Sequence, residues 1–356
     1  MKLRHVRPVR LVIKLFSQIR AHLWLFILSF ILVSFSVLSL IGYRFLLRHN
    51  VNPQDLLSFF GTPVENMDST NGITNFLILG IRGEGGDSPD LTDTIMVISY
   101  NHGNKTPTIV SVPRDLWVPS LKAKINTAFF YGEEASPGAG INMAQAAILE
   151  DLGMPINYTA VINFSLFQQA VDLVGGVDVD VSPGFTDTEF PIPGREKALP
   201  VSSRYETIIF NQGINHFNGT TALKFVRSRH AEGDEGTDFS RSRRQQQVIS
   251  SLRQKILTPS FLLDQQRVDS LFDIVNVNLI TNIPSKLYPT LAKLALDTKD
   301  SPVGSITLAT TPDENGVTIL YNPPTFKYGG EWVLVPKDNN WNALKQYIKN
   351  HLTPTQ

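Results

Sequence analysis

The chain has 356 residues, with 32 basic and 32 acidic side chains and no cysteine. A formal charge of zero argues against a nucleic-acid binder, which carries a basic excess or a basic face. The lack of cysteine excludes a disulfide framework, zinc–thiolate sites and thiol catalysis.

Residues 1–22 form a basic tail carrying Lys2, Arg4, Arg7, Arg10, Lys14 and Arg20, with no acid before Asp55. Leu23–Tyr43 follows without a charge and rich in Leu, Phe, Ile and Val. About 20 apolar residues span a bilayer core as a helix. The positive-inside rule then predicts a single-pass cell-membrane protein with its N-terminus cytoplasmic and everything after Tyr43 extracellular. A cleaved signal peptide would show a shorter apolar core and a small-residue cleavage site. Here Tyr43-Arg44-Phe45-Leu46-Leu47 follows instead.

Residues 44–73 lack sustained periodicity and read as an extracellular linker, and residues 74–352 read as one folded domain. Asn75–Gly80 (NFLILG), Thr94–Tyr100 (TIMVISY) and Pro107–Pro113 (PTIVSVP) are short runs rich in β-branched residues. They read as strands, and their near-continuous apolarity predicts burial on both faces. Ile141–Leu152 has apolar residues at helical spacing with Gly153 placed as its C-cap. Tyr158–Phe164 reads as a strand, Ser165–Val174 as a helix and Val177–Val181 as a strand. Residues 183–217 are turn-rich and predict a hairpin excursion. Helical patterns return at Thr220–Phe225, Ser240–Ile256, Pro259–Val275 and Pro284–Leu296. Ile306–Ala309 and Trp332–Val335 read as final strands, and Trp341–His351 as a closing helix. Strands alternating with helices predict an α/β fold.

The densest polar stretch is Phe225–Gln247 (FVRSRHAEGDEGTDFSRSRRQQQ), which holds Arg227, Arg229, Arg241, Arg243 and Arg244. On an extended segment Arg227 and Arg229 project to one side. On a helix Arg241 and Gln245 share a face. With Ser240 or Asp238 as cap, a helix N-terminus beside planar guanidinium groups makes an anion site suited to phosphate. The other reading is a solvated face, paired internally with Glu232, Asp234, Glu235 and Asp238.

Val112-Pro-Arg-Asp115 directly follows a strand, so Arg114 lies at the usual ligand edge of an α/β sheet, unless Asp115 simply pairs with it. The loop Gly80–Thr94 carries Asp87, Asp90 and Asp93, but no Walker or dinucleotide fingerprint. Its carboxylates suit Mg²⁺ bridging phosphate oxygens, or a mobile acidic loop. No Gly-x-Ser-x-Gly elbow, His-Glu-x-x-His pair or Ser-x-x-Lys box is present, which argues against the familiar nucleophilic hydrolases.

Taken in order, NFLILG, LTDT (Leu91–Thr94), SVPRD (Ser111–Asp115), KINTAFFYG (Lys124–Gly132), GGVDVDV (Gly175–Val181), FNGTTALKFVRSRH (Phe217–His230) and DFSRSRRQQ (Asp238–Gln246) resemble the LytR–CpsA–Psr family of cell-wall glycopolymer ligases. The likeness runs from Asn75 to Leu257. It implies a three-layer α/β/α sandwich with a mixed central sheet, preceded by one transmembrane helix. It also implies a phosphotransferase, with pyrophosphatase side activity, that moves a glycan phosphate from a polyprenyl-pyrophosphate carrier to peptidoglycan with Mg²⁺. Matched to the motifs, the family's catalytic residues fall on Arg114, Arg227, Arg229, Arg241 and Gln245. Substrate contacts fall on Lys124 and Asn126 as well as on Arg227, Arg229 and Arg241, and the metal falls to Asp93.

One departure stands out. The family commonly has Gly-x-Asp-x-Arg after the first strand and Arg-Ser-Asp-Thr after the loop. This chain has Arg82 in place of the first Asp and Leu91 in place of the second Arg. Either Arg82 supplies the lost positive charge to the substrate, with Glu84 or Asp90 helping Asp93 hold the metal, or the metal site is weakened. The lipid requires an apolar slot, expected between the sheet and the helix of Ile141–Leu152 or of Ser165–Val174.

Two function classes follow: the ligase, and a non-catalytic surface protein that binds lipid-linked glycans or wall polymers. Transcriptional regulation conflicts with the predicted topology and the neutral charge. Protease added to intact, wall-stripped cells is expected to digest the region after Tyr43. Protection of that region until lysis would overturn the topology.

Overall fold

The apolar run that opens the domain becomes the centre of the molecule. The structure, a computed structural model, describes residues 64, 67–83, 90–299, 301–312 and 316–352. The predicted tail 1–22, the predicted span 23–43 and linker residues 44–63 lie outside the described residues. Among the described residues no helix is long and apolar enough to cross a membrane.

In chain order the strands begin with β1 (Ile73–Ile81), β2 (Thr92–Asn101), β3 (Thr106–Ser111), β4 (Trp117–Val118) and β5 (Ala123–Lys124). Helices α1 (Ala128–Ala135) and α2 (Gly140–Leu152) follow, then β6 (Tyr158–Asn163), α3 (Phe164–Leu173) and β7 (Val177–Val181). Next come β8 (Phe185–Pro191), β9 (Tyr205–Phe210), β10 (Gly213–Phe217), α4 (Gly219–Arg227) and α5 (Asp238–Ile256). The chain continues with α6 (Pro259–Leu262), α7 (Gln265–Asn278), β11 (Leu279–Thr281), α8 (Tyr288–Asp297) and β12 (Gly304–Thr307). It closes with β13 (Leu320–Tyr321), β14 (Val335–Pro336) and α9 (Trp341–Leu352).

Six strands form one mixed sheet in the order β11-β6-β1-β2-β3-β12. β1 runs parallel to β6 and antiparallel to β2, and β3 runs parallel to β12. Side chains alternate across a strand, so β1 feeds two cores. Leu77, Leu79 and Ile81 join Ile95, Val97, Val110 and Val161 in a core closed by Phe129 of α1, Ala144 and Ile148 of α2, and Leu344 and Ile348 of α9. On the opposite face Phe76 meets Tyr100 and Tyr158, with Leu291 and Leu294 of α8 packed against them. The sheet is therefore covered by helices on both faces. Val64 and Met67, inside the segment read as linker, are buried in this second core.

Close packing of α1 on α2 depends on two glycines. A Cβ at Gly132 would lie 2.5 Å from the Gly140 Cα, closer than any real contact. Gly153 ends α2 in the left-handed conformation at φ 67°, the C-cap its sequence predicts. A third core joins α3, α4 and α5 to β7 and the β8–β9 hairpin. The rings of Phe185, Phe210, Phe217 and Phe225 lie there with centroids 5.0–5.9 Å apart.

Three departures from the sequence reading have local causes. The helical pattern Pro259–Val275 breaks into α6 and α7, because Asp264 takes an extended conformation and its carboxylate accepts from the Arg267 N–H at 3.2 Å. The run Trp332–Val335 supplies only the start of β14, which pairs with β13. The cap of α5 is neither Ser240 nor Asp238. Thr237 stays extended, and its Oγ1 accepts from the Ser240 N–H at 3.2 Å.

Asp151 of α2 is fully buried, and neither carboxylate oxygen has a hydrogen-bond partner. Burial pushes its pKa up to about 8; nearby Glu150 adds to the rise and Lys345 opposes it. The folded state therefore holds a proton that the unfolded chain releases near pH 4. The stability this contributes is complete below pH 4 and is lost as the pH rises to about 8. Urea unfolding of the domain is expected to show a fall on the order of a few kcal/mol between pH 5 and pH 8. Asp151→Asn should flatten that slope; an unchanged slope in the variant would refute the assignment.

Candidate functional site

The ends of β1 and β3 lie at the same edge of the sheet as the start of β2, so the residues flanking those ends meet. Asp93, at the start of β2, is the focus. Its Oδ2 accepts from the Arg82 Nε at 3.2 Å, and its Oδ1 accepts from the Arg114 Nη1. Arg82 is the first residue after β1, and Arg114 follows β3 through Val112-Pro113. Arg114 also lies 3.5 Å from Asp115 by its Nε, and the Lys124 Nζ of β5 pairs with the other Asp115 oxygen at 3.0 Å. The β4–β5 pair thus carries Lys124 back to the turn from which it left.

Asn126 is buried next to this chain of charges. Its N–H donates to the Arg114 carbonyl at 3.2 Å, and its own carbonyl accepts from the Thr92 hydroxyl at 3.1 Å. Its Oδ1 is buried without a hydrogen-bond partner.

The first turns of α5 form the opposite wall. A small cleft is lined by Asp93, Thr94, Ser111, Pro113, Arg241, Ser242, Gln245 and Thr307. Arg241 and Gln245 share the helix face that their spacing predicts, and the Gln245 amide donates to the Thr94 hydroxyl at 3.0 Å. Arg241 is only 8% exposed, although the cluster reads from sequence as open to solvent. Helix capping brings it inward: it sits one turn inside α5, against the sheet edge.

Arg227 and Arg229 do not project from one extended segment. Arg227 is the last residue of α4, Ser228 is its C-cap, and Arg229 lies beyond. The Arg227 guanidinium packs over the rings of Phe164 and Phe190, 4.6 and 5.5 Å from their centroids. Burial lowers its pKa, the Arg82 charge lowers it further and Asp93 opposes, so Arg227 belongs to the same electrostatic cluster. Arg229 is positioned through its backbone N–H, which donates to Asp187 at 3.1 Å.

The remaining two arginines serve the scaffold. Arg243 reaches Glu235, away from the cleft. Arg244 is 1% exposed and donates to the carbonyls of Phe225, Ser228 and Glu235 and to the Glu235 carboxylate. Sequence reading gave no role to Asp187, which is fully buried. It accepts from the Ser228 hydroxyl at 2.7 Å and from the N–H groups of Arg229, His230 and Glu189. An acidic residue in a turn-rich hairpin carries no periodic signal that would single it out.

Electrostatics explain why Asp93 stays ionised. Burial pushes its carboxyl up, but Arg114 and Arg82 together outweigh burial and hold it below the usual carboxylate range.

The LytR_cpsA_psr family model matches residues 52–329. The chain belongs to this family. Its relatives include the polyisoprenyl-teichoic acid–peptidoglycan teichoic acid transferase TagU of Bacillus mycoides, 33% identical over 51% of this chain and 52% of that protein. The regulatory protein MsrR of Staphylococcus aureus is 28% identical over 81% of this chain and 77% of its own length. The chain spans about half the length of the TagU relatives it matches. Two solved structures share the fold. Bacillus subtilis TagV is 21% identical over 81% of this chain and all of its own, with a TM-score of 0.54. TagT with LI-WTA bound is 22% identical over 82% and 94%, with a TM-score of 0.53.

The described residues do not fit the Mg²⁺ that the family resemblance implies. Mg²⁺ needs near-octahedral oxygen ligands at about 2.0–2.1 Å, whereas both oxygens of Asp93 are taken by arginines. Asp90 does not join Asp93: burial raises its pKa, and its charged neighbours are Glu133 and Glu134 of α1. Glu84 and Asp87 lie outside the described residues. Among the described residues no group of three or more His, Cys, Asp or Glu could hold a metal ion.

Asp187→Ala would strand one buried hydroxyl and three part-buried N–H groups. Each unsatisfied donor costs about 1–3 kcal/mol. Urea unfolding should show a loss of about 3 kcal/mol or more, with Asp187→Asn in between. A loss under about 1 kcal/mol for the alanine variant would show that Asp187 does not organise the Ser228–His230 turn.

Proposed function

We propose that the chain is a membrane-anchored phosphotransferase that moves a glycopolymer from a polyprenyl-pyrophosphate carrier to peptidoglycan on the outer face of the cell membrane. One observation carries the reading. Arg82, Arg114, Lys124, Arg227 and Arg241 gather around Asp93 and Asp115 at a single sheet edge. A cation excess of this kind suits a multiply charged phosphate ester, and planar guanidinium groups match phosphate oxygens in pairs. The transferase names of the TagU relatives support the same chemistry.

In the step proposed, a wall sugar hydroxyl attacks the glycan-side phosphorus. A new oxygen–phosphorus bond forms, the bond to the polyprenyl phosphate oxygen breaks, and the hydroxyl proton is released. With water as attacker the same step is a pyrophosphatase side reaction. Arg114, Arg227, Arg229 and Arg241 neutralise the phosphoryl oxygens, the dominant task in such transfers. Gln245 holds the Thr94 hydroxyl at the cleft wall, and Lys124 and Asn126 flank the carrier-side phosphate. Asp93 is a poor proton acceptor at neutral pH because its pKa is lowered; its task is to position arginines.

The lipid chain is assigned to the α3–α7 side. Of the two helices expected to border the slot, α2 buries Ile141, Ala144, Ala147, Ile148 and Leu152 in the first core. Helix α7 packs on α3 yet buries none of its residues, and Val268, Leu271, Phe272, Ile274 and Val275 all stay partly exposed.

The full-length chain in detergent, given a polyprenyl-pyrophosphate-linked sugar and peptidoglycan fragments, should transfer the sugar phosphate. Binding without turnover would favour the non-catalytic reading. A charge-assisted hydrogen bond contributes about 1.5–3 kcal/mol. Arg227→Ala, Arg229→Ala and Arg241→Ala should therefore each lower transfer about ten- to hundredfold, with Lys restoring only part. Arg243→Ala, which removes a contact to Glu235 outside the cleft, should stay near wild type. Equal damage from Arg243→Ala and Arg241→Ala would show that the site is misassigned.

A further inference from the structure

Asp93 is the carboxylate best placed to hold a divalent cation at this site, and its surroundings are those of a carboxylate already neutralised twice. Arg82 approaches Oδ2 and Arg114 approaches Oδ1. Both pairs are only partly screened, since Asp93 and Arg114 expose 21% and 24% of their side chains and Arg82 exposes 37%. The next carboxylate, Asp115, is buried and shared between Arg114 and Lys124. Arg227 adds a further positive charge felt by Arg82 and Asp93, and Arg241 lines the same cleft.

Among the described residues a divalent ion entering here would meet more cations than anions and would share either Asp93 oxygen with a guanidinium. Like charges at these separations repel, and partial burial weakens solvent screening. Among the described residues the other acid of this loop, Asp90, has Glu133 and Glu134 as its charged neighbours. An anion meets the reverse situation. Arg82 and Arg114 each give Asp93 one donor, and a guanidinium carries five.

We infer that Arg82 takes the place of a divalent cation in this chain, so that the site recognises a pyrophosphate group through fixed guanidinium charge without Mg²⁺. This rests on the pyrophosphate reading above and says how that group is neutralised. A residue-borne cation differs from a metal in two measurable ways. It is not removed by chelation, and its loss frees the Asp93 oxygen it covers.

The test uses the full-length chain in detergent, with two independent readouts. The first is Mn²⁺ binding to the chain alone, followed by electron paramagnetic resonance. The second is calorimetric binding of inorganic pyrophosphate, with EDTA or with millimolar Mg²⁺. Wild type is expected to retain no Mn²⁺ at Asp93 and to bind pyrophosphate with a Kd in EDTA within about twofold of that in Mg²⁺. Arg82→Asp places a second carboxylate opposite Asp93. It should gain Mn²⁺ binding, and should bind pyrophosphate at least tenfold more weakly in EDTA than in Mg²⁺. Arg82→Ala, which only uncovers Oδ2, should show the EDTA loss and a smaller Mg²⁺ rescue, and it serves if Arg82→Asp does not fold.

Two outcomes overturn the inference: Mn²⁺ bound by wild type and released by Asp93→Asn, or wild-type pyrophosphate binding that needs Mg²⁺. If wild type binds pyrophosphate under neither condition, the pyrophosphate reading fails. The Mn²⁺ arm still decides whether Arg82 excludes a metal.

Discussion

The site hangs on a buried guanidinium that never touches the cleft. Arg244 closes the segment between α4 and α5 by donating to the carbonyls of Phe225, in the last turn of α4, and Ser228, at the segment's start, and to Glu235 near its end. Taking a charge out of water costs several kcal/mol unless it is paired and its donors are satisfied. Arg244 meets both conditions. Glu235 supplies the opposite charge, three carbonyls take further N–H groups, and the guanidinium lies over Phe185 at 4.7 Å. Removing Glu235 would leave an uncompensated buried cation, which is strongly destabilising. The reach from Arg227 to Arg241 is thus fixed by a residue one turn further along α5 that is buried rather than in the cleft.

Asp187 works on the same segment from the other side. Arg244 binds its carbonyls, whereas Asp187 binds its N–H groups and the Ser228 hydroxyl. The two satisfy the backbone of a turn that leaves a helix and enters no strand. Buried backbone groups in such a segment need side-chain partners. Here they come from a cation and an anion that are both buried, on separate elements. That arrangement lets α4 end at Arg227 with its guanidinium packed on Phe164 and Phe190.

The sheet and most helices were legible because burial imposes a period. β1, β2 and β3 are apolar on both faces, and α2 ends at a glycine that only a left-handed cap requires. Helix α1 was missed: FFYG reads as well as a strand, and its packing relies on Gly132 against Gly140, a contact no local pattern encodes. The arginine cluster was legible as a group, and helical spacing sets Arg243 about 200° from Arg241, but it does not separate Arg244 from Arg241. Arg241 and Arg244 are helical neighbours, and only tertiary packing decides which meets the sheet edge and which is buried against Glu235. Asp187 was invisible because its partners lie some forty residues away.

Asp93 also shows why a charged cleft can stand ready without collapsing. Guanidinium groups held together in partial burial repel one another: burial lowers the Arg227 pKa, and repulsion from Arg82 lowers it further. A carboxylate among them offsets the repulsion, and Arg114 and Arg82 hold its own pKa low against burial. It does so through one donor on each of Arg82 and Arg114, and a guanidinium carries five, so donors beyond the Asp93 contacts can meet an anion. Two side chains already fixed by Asp93 lose little further rotamer freedom on binding, which for long flexible cations is a main cost of association. A lysine pair could supply the same charge but not this division of donors, because an ammonium offers three at one point. The preference for guanidinium here therefore follows from the need to serve Asp93 and a phosphate at once.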